Sequence, residues 1–377
     1  MSKKEKCRCA KRTSIGGQAL MEGIMMRGPQ KSAMAVRRPN GEIYFDEQPN
    51  EKKKRPAFCR WPIIRGVFGF VDSMVMGYKY LMRSAEIAME ETEETHTESP
   101  TDAAVSQPSV EEAPSATAPD ASDPKEKTPV NGVKKAKKSE PKSTVGKGTM
   151  AVITVIATVL GVLLAVGLFV WLPTFLYTKL IEPLSFWPDN NLWLKSIFEG
   201  FLKIVVLVLY MALVSLMKDI RRTFMYHGAE HKTIFCYENG LPLTVENVKK
   251  QGRFHPRCGT SFLILMMLVS IAIGFLIPPY IEGIPATAYT FIRAGIKLLL
   301  IPLTMGVGYE LLKLAGKYDN LFTRIISAPG RWLQRITVRE PTDDMIECAI
   351  QAFIAVMPEE DRQAMEAEMA SDRDENA

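Results

Sequence analysis

The chain has 377 residues, 47% of them apolar, and 47 Lys and Arg against 42 Asp and Glu give it a net charge of +5. Six cysteines without even spacing exclude a disulfide scaffold and make reduced thiols the expectation. No apolar run follows the basic N-terminus, so it is not read as a signal peptide, and there is no phosphate loop, dinucleotide turn or nucleophile-elbow serine.

In chain order, residues 1–13 form a flexible basic N-terminus. Residues 14–91 form a cytoplasmic N-terminal module. Its Ser14–Pro29 stretch is dense in Gly and Met. Ala33–Arg38 and Glu42–Phe45 flank Pro39-Asn40-Gly41, which signals a hairpin. From Trp61 to Glu90, Phe68, Val71, Met74, Val75, Tyr78, Leu81 and Met82 recur at the spacing of an amphipathic helix, expected against a helix bundle or on a membrane surface. Residues 92–148 hold almost no large apolar side chains and read as a disordered linker, a solvated tether or a strip for protein partners.

Residues 149–335 read as a membrane domain. Four runs reach the ~20 apolar residues that a bilayer requires: Met150–Tyr177, Leu192–Met217, Ser261–Ile281 and Ala286–Leu312. Lys and Arg crowd the segment before the first run, the loop 218–260 and the segment after the fourth, which places both termini and that loop in the cytoplasm. The same asymmetry accounts for the basic loops without a nucleic-acid partner. Arg293 and Lys297, inside the fourth run, snorkel to an interface or face a bundle interior. Residues 336–377 give a short helix over Met345–Met357, with Thr342 as N-cap, and an acidic tail. The expected fold class is therefore an all-α membrane protein with four transmembrane helices, a small cytoplasmic α+β N-terminal module and a cytoplasmic histidine loop. A lipid bilayer is its main partner, and a homo-oligomer is left open.

Three of the four histidines, His227, His231 and His255, fall in that loop, and Cys258 follows. His227-Gly228-Ala229-Glu230-His231 fits H-x-x-E-H. On a helix continued from the second run, His227 and His231 share a face and can ligate one divalent ion, zinc being the expected one. Glu230 would be the catalytic base that takes a proton from water activated by the ion. The third ligand is open among His255, Cys258, Glu22 and Glu310. The competing reading is a closed structural site of His227, His231, His255 and Cys258.

Gly16-Gly17-Gln18-Ala19-Leu20-Met21-Glu22-Gly23-Ile24-Met25-Met26-Arg27, Tyr226–Lys232 and His255-Pro256-Arg257-Cys258-Gly259-Thr260-Ser261-Phe262 together resemble the YqhQ family of bacterial multi-pass membrane proteins. The resemblance covers about residues 13–90 and 145–357. It implies a metal-dependent enzyme in a bacterial plasma membrane, with no established reaction, and draws attention to Glu22. The leading expectation is a metal-dependent hydrolase at the cytoplasmic membrane face, in which Glu22 and Arg27 bind substrate or support the ligands. The alternatives are a non-enzymatic scaffold with a structural metal, and a small transporter lined by Arg293, Lys297 and Glu310.

Overall fold

A computed structural model of the protein describes residues 13–50, 55–94, 147–181, 192–278, 281–318, 320–363 and 365. The expected flexible N-terminus up to residue 12, positions 95–146 of the expected linker, and positions 364 and 366–377 of the acidic tail lie outside the described residues.

Four strands, β1 (Gly16–Leu20), β2 (Gly23–Arg27), β3 (Lys31–Arg37) and β4 (Ile43–Pro49), form an antiparallel meander in the order β1-β2-β3-β4. The hairpin expected at Pro39-Asn40-Gly41 joins β3 to β4, pairing Arg37 with Ile43. A second hairpin, β1-β2, turns at Met21-Glu22, with Glu22 at φ 50°. The central strands are buried on both faces. Ile24, Met26, Ala33 and Ala35 face one core, while Leu20, Met25, Met34 and Val36 face another with Tyr80 and Ile87. A strand covered on both sides has no polar face to alternate with, so these residues form near-continuous apolar runs.

Helix α1 (Ile64–Glu94) covers the second of those faces. Its N-terminal half packs on α9 (Ile301–Lys317), where a Cβ added at Gly66 would lie 2.8 Å from Tyr309 Cβ. Of the stripe expected against a bundle or on a membrane surface, Val71, Met74, Val75 and Tyr78 are exposed. Helix α2 (Lys147–Val166) leads through a π turn into α3 (Leu172–Leu176). Helix α4 (Leu192–Val214) ends before Met217, which is extended at φ −66°, ψ 133°. The histidine helix α5 (Lys218–Glu238) is thus a separate helix rather than a continuation of α4. Asn239 caps α5, as Asn239-Gly240 implies.

After the short α6 (Val245–Lys249) come α7 (Gly259–Gly274), α8 (Ala286–Leu299), α9, α10 (Leu321–Thr337) and α11 (Asp343–Val356). Thr342 precedes α11, where the sequence places an N-cap, although its side chain makes no capping hydrogen bond. Helix α11 is no peripheral tail: Phe353, Met345, Ile346 and Ala349 are fully or almost fully buried in one core with Tyr226 of α5 and with Ile24 and Met26 of β2.

The expected all-α class with four transmembrane helices is corrected. The fold joins helices to a four-stranded antiparallel sheet, and among the described residues one helix, over Ser196–Val214, is long and apolar enough to cross a membrane. Two of the other runs fall short for a physical reason. With 16 residues α7 spans only about 24 Å of a ~30 Å hydrocarbon layer. The fourth run breaks at Leu300 before Pro302, so α8 and α9 meet the test only as a pair bent by 44°. The first run includes an apolar helical stretch of Val155–Phe169, which is also short of the span length.

Candidate metal centre

Helix α5 places His227 and His231 one turn apart, and their ring centroids lie 4.4 Å from each other. Cys258 is the N-cap of α7, and its sulfur accepts from the Thr260 amide. One ligand atom from each of His227, His231 and Cys258 falls within 4.8 Å of the other two. Tetrahedral zinc, with Zn–N near 2.0–2.1 Å and Zn–S near 2.3 Å, sets ligand atoms roughly 3.3–3.6 Å apart. His227 Nε2 is 3.1 Å from Cys258 Sγ, close to that spacing.

The tautomers follow from the partners. His227 Nδ1 lies 3.1 Å from the Thr337 carbonyl and His231 Nδ1 lies 2.6 Å from the Arg253 carbonyl. A carbonyl only accepts, so both Nδ1 atoms carry the proton and each Nε2 is left for a ligand. This carbonyl anchoring is how imidazoles are oriented on a metal. Burial alone would lower the pKa of His227, but the adjoining Cys258 raises it to about 9. Burial alone would raise the Cys258 thiol, but His227 and His231 draw it well below its ordinary range. Two imidazoles and a thiol driven towards thiolate form a donor set that zinc takes.

Glu230 is buried beside them, and one carboxylate oxygen accepts from the Gly17 amide of β1 at 2.9 Å. Burial raises its pKa against the opposing effect of the two histidines. Gly17 is required there, because an added Cβ would lie 3.1 Å from Glu230 Cδ and 2.6 Å from the Met25 carbonyl. Glu230, His231 and Cys258 line a cleft of about 250 Å³ whose other wall is Thr13–Gly17.

The other candidates are placed differently. His255 lines the cleft without joining the ligand group: its Nδ1 accepts from the Arg257 amide at 3.3 Å and its Nε2 faces Glu238 at 3.9 Å. Burial lowers its pKa. Gln334 of α10 pins it by accepting from the His255 amide and donating to its carbonyl, each at 2.8 Å. Glu310 forms a fork with Arg65 at 2.6 and 2.5 Å, which removes it as a nearby third ligand. Glu22 is forked onto Arg222. Arg27 lines a second cavity, of about 390 Å³, which shares Ser14, Gly16 and Gly17 with the cleft.

Several contributors were missed from sequence. The Gly17 amide and the Arg253 and Thr337 carbonyls are backbone groups with no side-chain signature. Glu340 was not read as part of the centre either. It pairs with the buried Lys232 at 2.9 Å and with Arg253 at 3.1 Å, fixing the loop that supplies the carbonyl to His231.

Residues 61–359 match the family described as "Protein of unknown function (DUF1385)". The chain is also similar to the "Uncharacterized protein YqhQ" of Bacillus subtilis (strain 168), at 30% identity over 343 residues, covering 90% of this chain and 91% of that protein. No solved structure matches.

Proposed function

The chain belongs to the DUF1385 family, itself of unknown function, and from the geometry of its own residues we propose that it is a metal-dependent hydrolase working at a membrane face. One observation carries this reading: His227, His231 and Cys258 converge with both imidazoles anchored on carbonyls, beside a buried carboxylate and an open cleft. A closed structural site needs a fourth nitrogen or sulfur ligand, and His255, named by the sequence, accepts the Arg257 amide on Nδ1, turns Nε2 towards Glu238 and stands outside the ligand group. Three protein ligands with an open side favour chemistry.

When bound, zinc would supply Lewis-acid polarisation and lower the pKa of a water towards about 7. His227, His231 and Cys258 hold it. Glu230 is the proton acceptor: the Gly17 amide fixes one oxygen, and burial brings its pKa closer to working pH than that of an exposed carboxylate. Arg27, across Gly16-Gly17 from the cleft, binds an anionic group of the substrate, while Glu22 supports α5 through Arg222. Membrane residence is supported by α4 and by α2. Val152, Val155, Ile156, Val159, Leu160 and Leu163 of α2 are all more than half exposed, and a helix apolar on every side requires lipid or another apolar partner around it. Lys218, Arg221 and Arg222, which follow α4, support a cytoplasmic position for the site.

The test is metal analysis of the detergent-purified full chain. The expected result is about one zinc per chain, lost in His227→Ala and Cys258→Ala and retained in Glu230→Gln, which in cells behaves as a null. Absence of metal from the wild type sinks the proposal. One contact favours a second reading: with His227 Nε2 3.1 Å from its sulfur, Cys258 has the geometry of a thiol nucleophile beside its base. Rapid alkylation of Cys258 in protein as purified, unaffected by added zinc, would favour that reading.

A further inference from the structure

A second cluster of charged side chains lies where α4 meets α8. Ser196, Glu199 and Lys203 recur on one face of α4, and Arg293 and Lys297 are one turn apart on α8. Lys297 Nζ is 3.6 Å from Glu199 Oε2, and Arg293 Nη2 donates to Ser196 Oγ at 3.1 Å. Arg293 is only 7% exposed and Glu199 only 4%. The charges do not balance: among the described residues one carboxylate faces three cations. The guanidinium is also incompletely used, since its Nε is buried without a hydrogen-bond partner among the described residues. An orphaned donor on a buried cation is costly, and it sits on a group built to grip an oxyanion through two parallel N–H bonds.

We propose that this cluster is a phosphate-binding site, taking either a free phosphate or the headgroup of an anionic phospholipid. Arg293 Nε donates to one phosphate oxygen, and Ser196 Oγ, already accepting from Nη2, donates to the same group. Lys203 and Lys297 supply the balancing charge, and Glu199 holds Lys297 in place. Lys297, with its side chain 32% exposed, marks the open side. The site is separate from the histidine-cysteine centre. Glu199 lies about 22 Å along α4 from Val214, and α5 begins beyond that end.

The experiment titrates the full-length detergent-purified protein with inorganic phosphate at constant ionic strength. A second arm reconstitutes it in phosphatidylglycerol or phosphatidylcholine vesicles and identifies the lipid that stays bound on re-extraction. Saturable phosphate binding that phosphatidylglycerol does not displace identifies a free anion; retention of phosphatidylglycerol over phosphatidylcholine identifies a headgroup. In either case Arg293→Gln is expected to weaken binding about tenfold or more. Glu199→Gln is expected to tighten it, by removing the competing carboxylate. If Arg293→Gln does not accumulate, Ser196→Ala, expected to weaken binding, takes its place beside Glu199→Gln. Failure of both anions to bind, equal affinity across the variants, or, in the absence of saturable phosphate binding, retention of phosphatidylcholine as strongly as phosphatidylglycerol overturns the proposal.

Discussion

Gly228, between the first histidine and the glutamate, shows how tightly the centre is packed. A Cβ there would lie 1.9 Å from the Arg339 carbonyl, so the 339–341 segment passes directly against α5. Gly228→Ala must push the two apart. Overpacking of this kind costs about 1–3 kcal/mol, and a lower urea midpoint with reduced zinc retention is the expected outcome. Glu238 offers a test by pH. Burial would raise its pKa, but His255, the Thr13 amide and Arg257 together hold it below the ordinary carboxylate range. Its stabilising contribution is therefore present above the unfolded value of about 4.3 and lost as pH falls through the lower folded value. Urea midpoints of wild type and Glu238→Gln should converge as pH drops from 7 to 3; a constant gap would refute this role. The shared face of His227 and His231 was legible in the sequence, because residues one turn apart on a helix must be neighbours. The pairing of Glu310 was not legible, because its partner, Arg65, is 245 positions away, and a carboxylate on an apolar helix looks unpaired until that partner is seen.

Among the elements, α11 was legible as a short apolar helix, but its place was not. Its periodicity shows that it buries a face without showing against what. It fills the space between α5 and the sheet, with Phe353 fully buried 5.0 Å from the Tyr237 ring. Phe353→Ala is expected to cost about 3–5 kcal/mol, read as a fall in thermal midpoint well beyond that of an exposed replacement such as Val71→Ala. Strand β2 was not legible, because alternation is the signal for a strand with one wet face and β2 is covered on both. The apolar runs are apolar as read, but among the described residues only one forms a helix long enough to span. Hydropathy sums composition over a window, whereas Pro302 and the 16-residue length of α7 act on the backbone path.

For the whole molecule, the centre draws on widely separated parts of the chain. The Gly17 amide holds Glu230 across 213 positions, and the Thr337 carbonyl holds His227 across 110. The cleft wall arrives with the first strand, and the last anchoring carbonyl arrives only as α10 ends. This has a consequence for biosynthesis. While the ribosome is still translating α8 and α9, both histidines and Cys258 already exist, but no carbonyl yet fixes the His227 tautomer and no α11 presses α5 onto the sheet. On the proposed metal reading, acquisition of zinc would therefore be a late maturation step. Nascent chains arrested before residue 337 are expected to exchange zinc freely, and released full-length chains to retain it. Equal retention by the arrested chains would show that the histidine-cysteine loop assembles on its own. A cell short of zinc would then accumulate complete but immature chains rather than truncated ones, and their turnover would be decided after translation has ended.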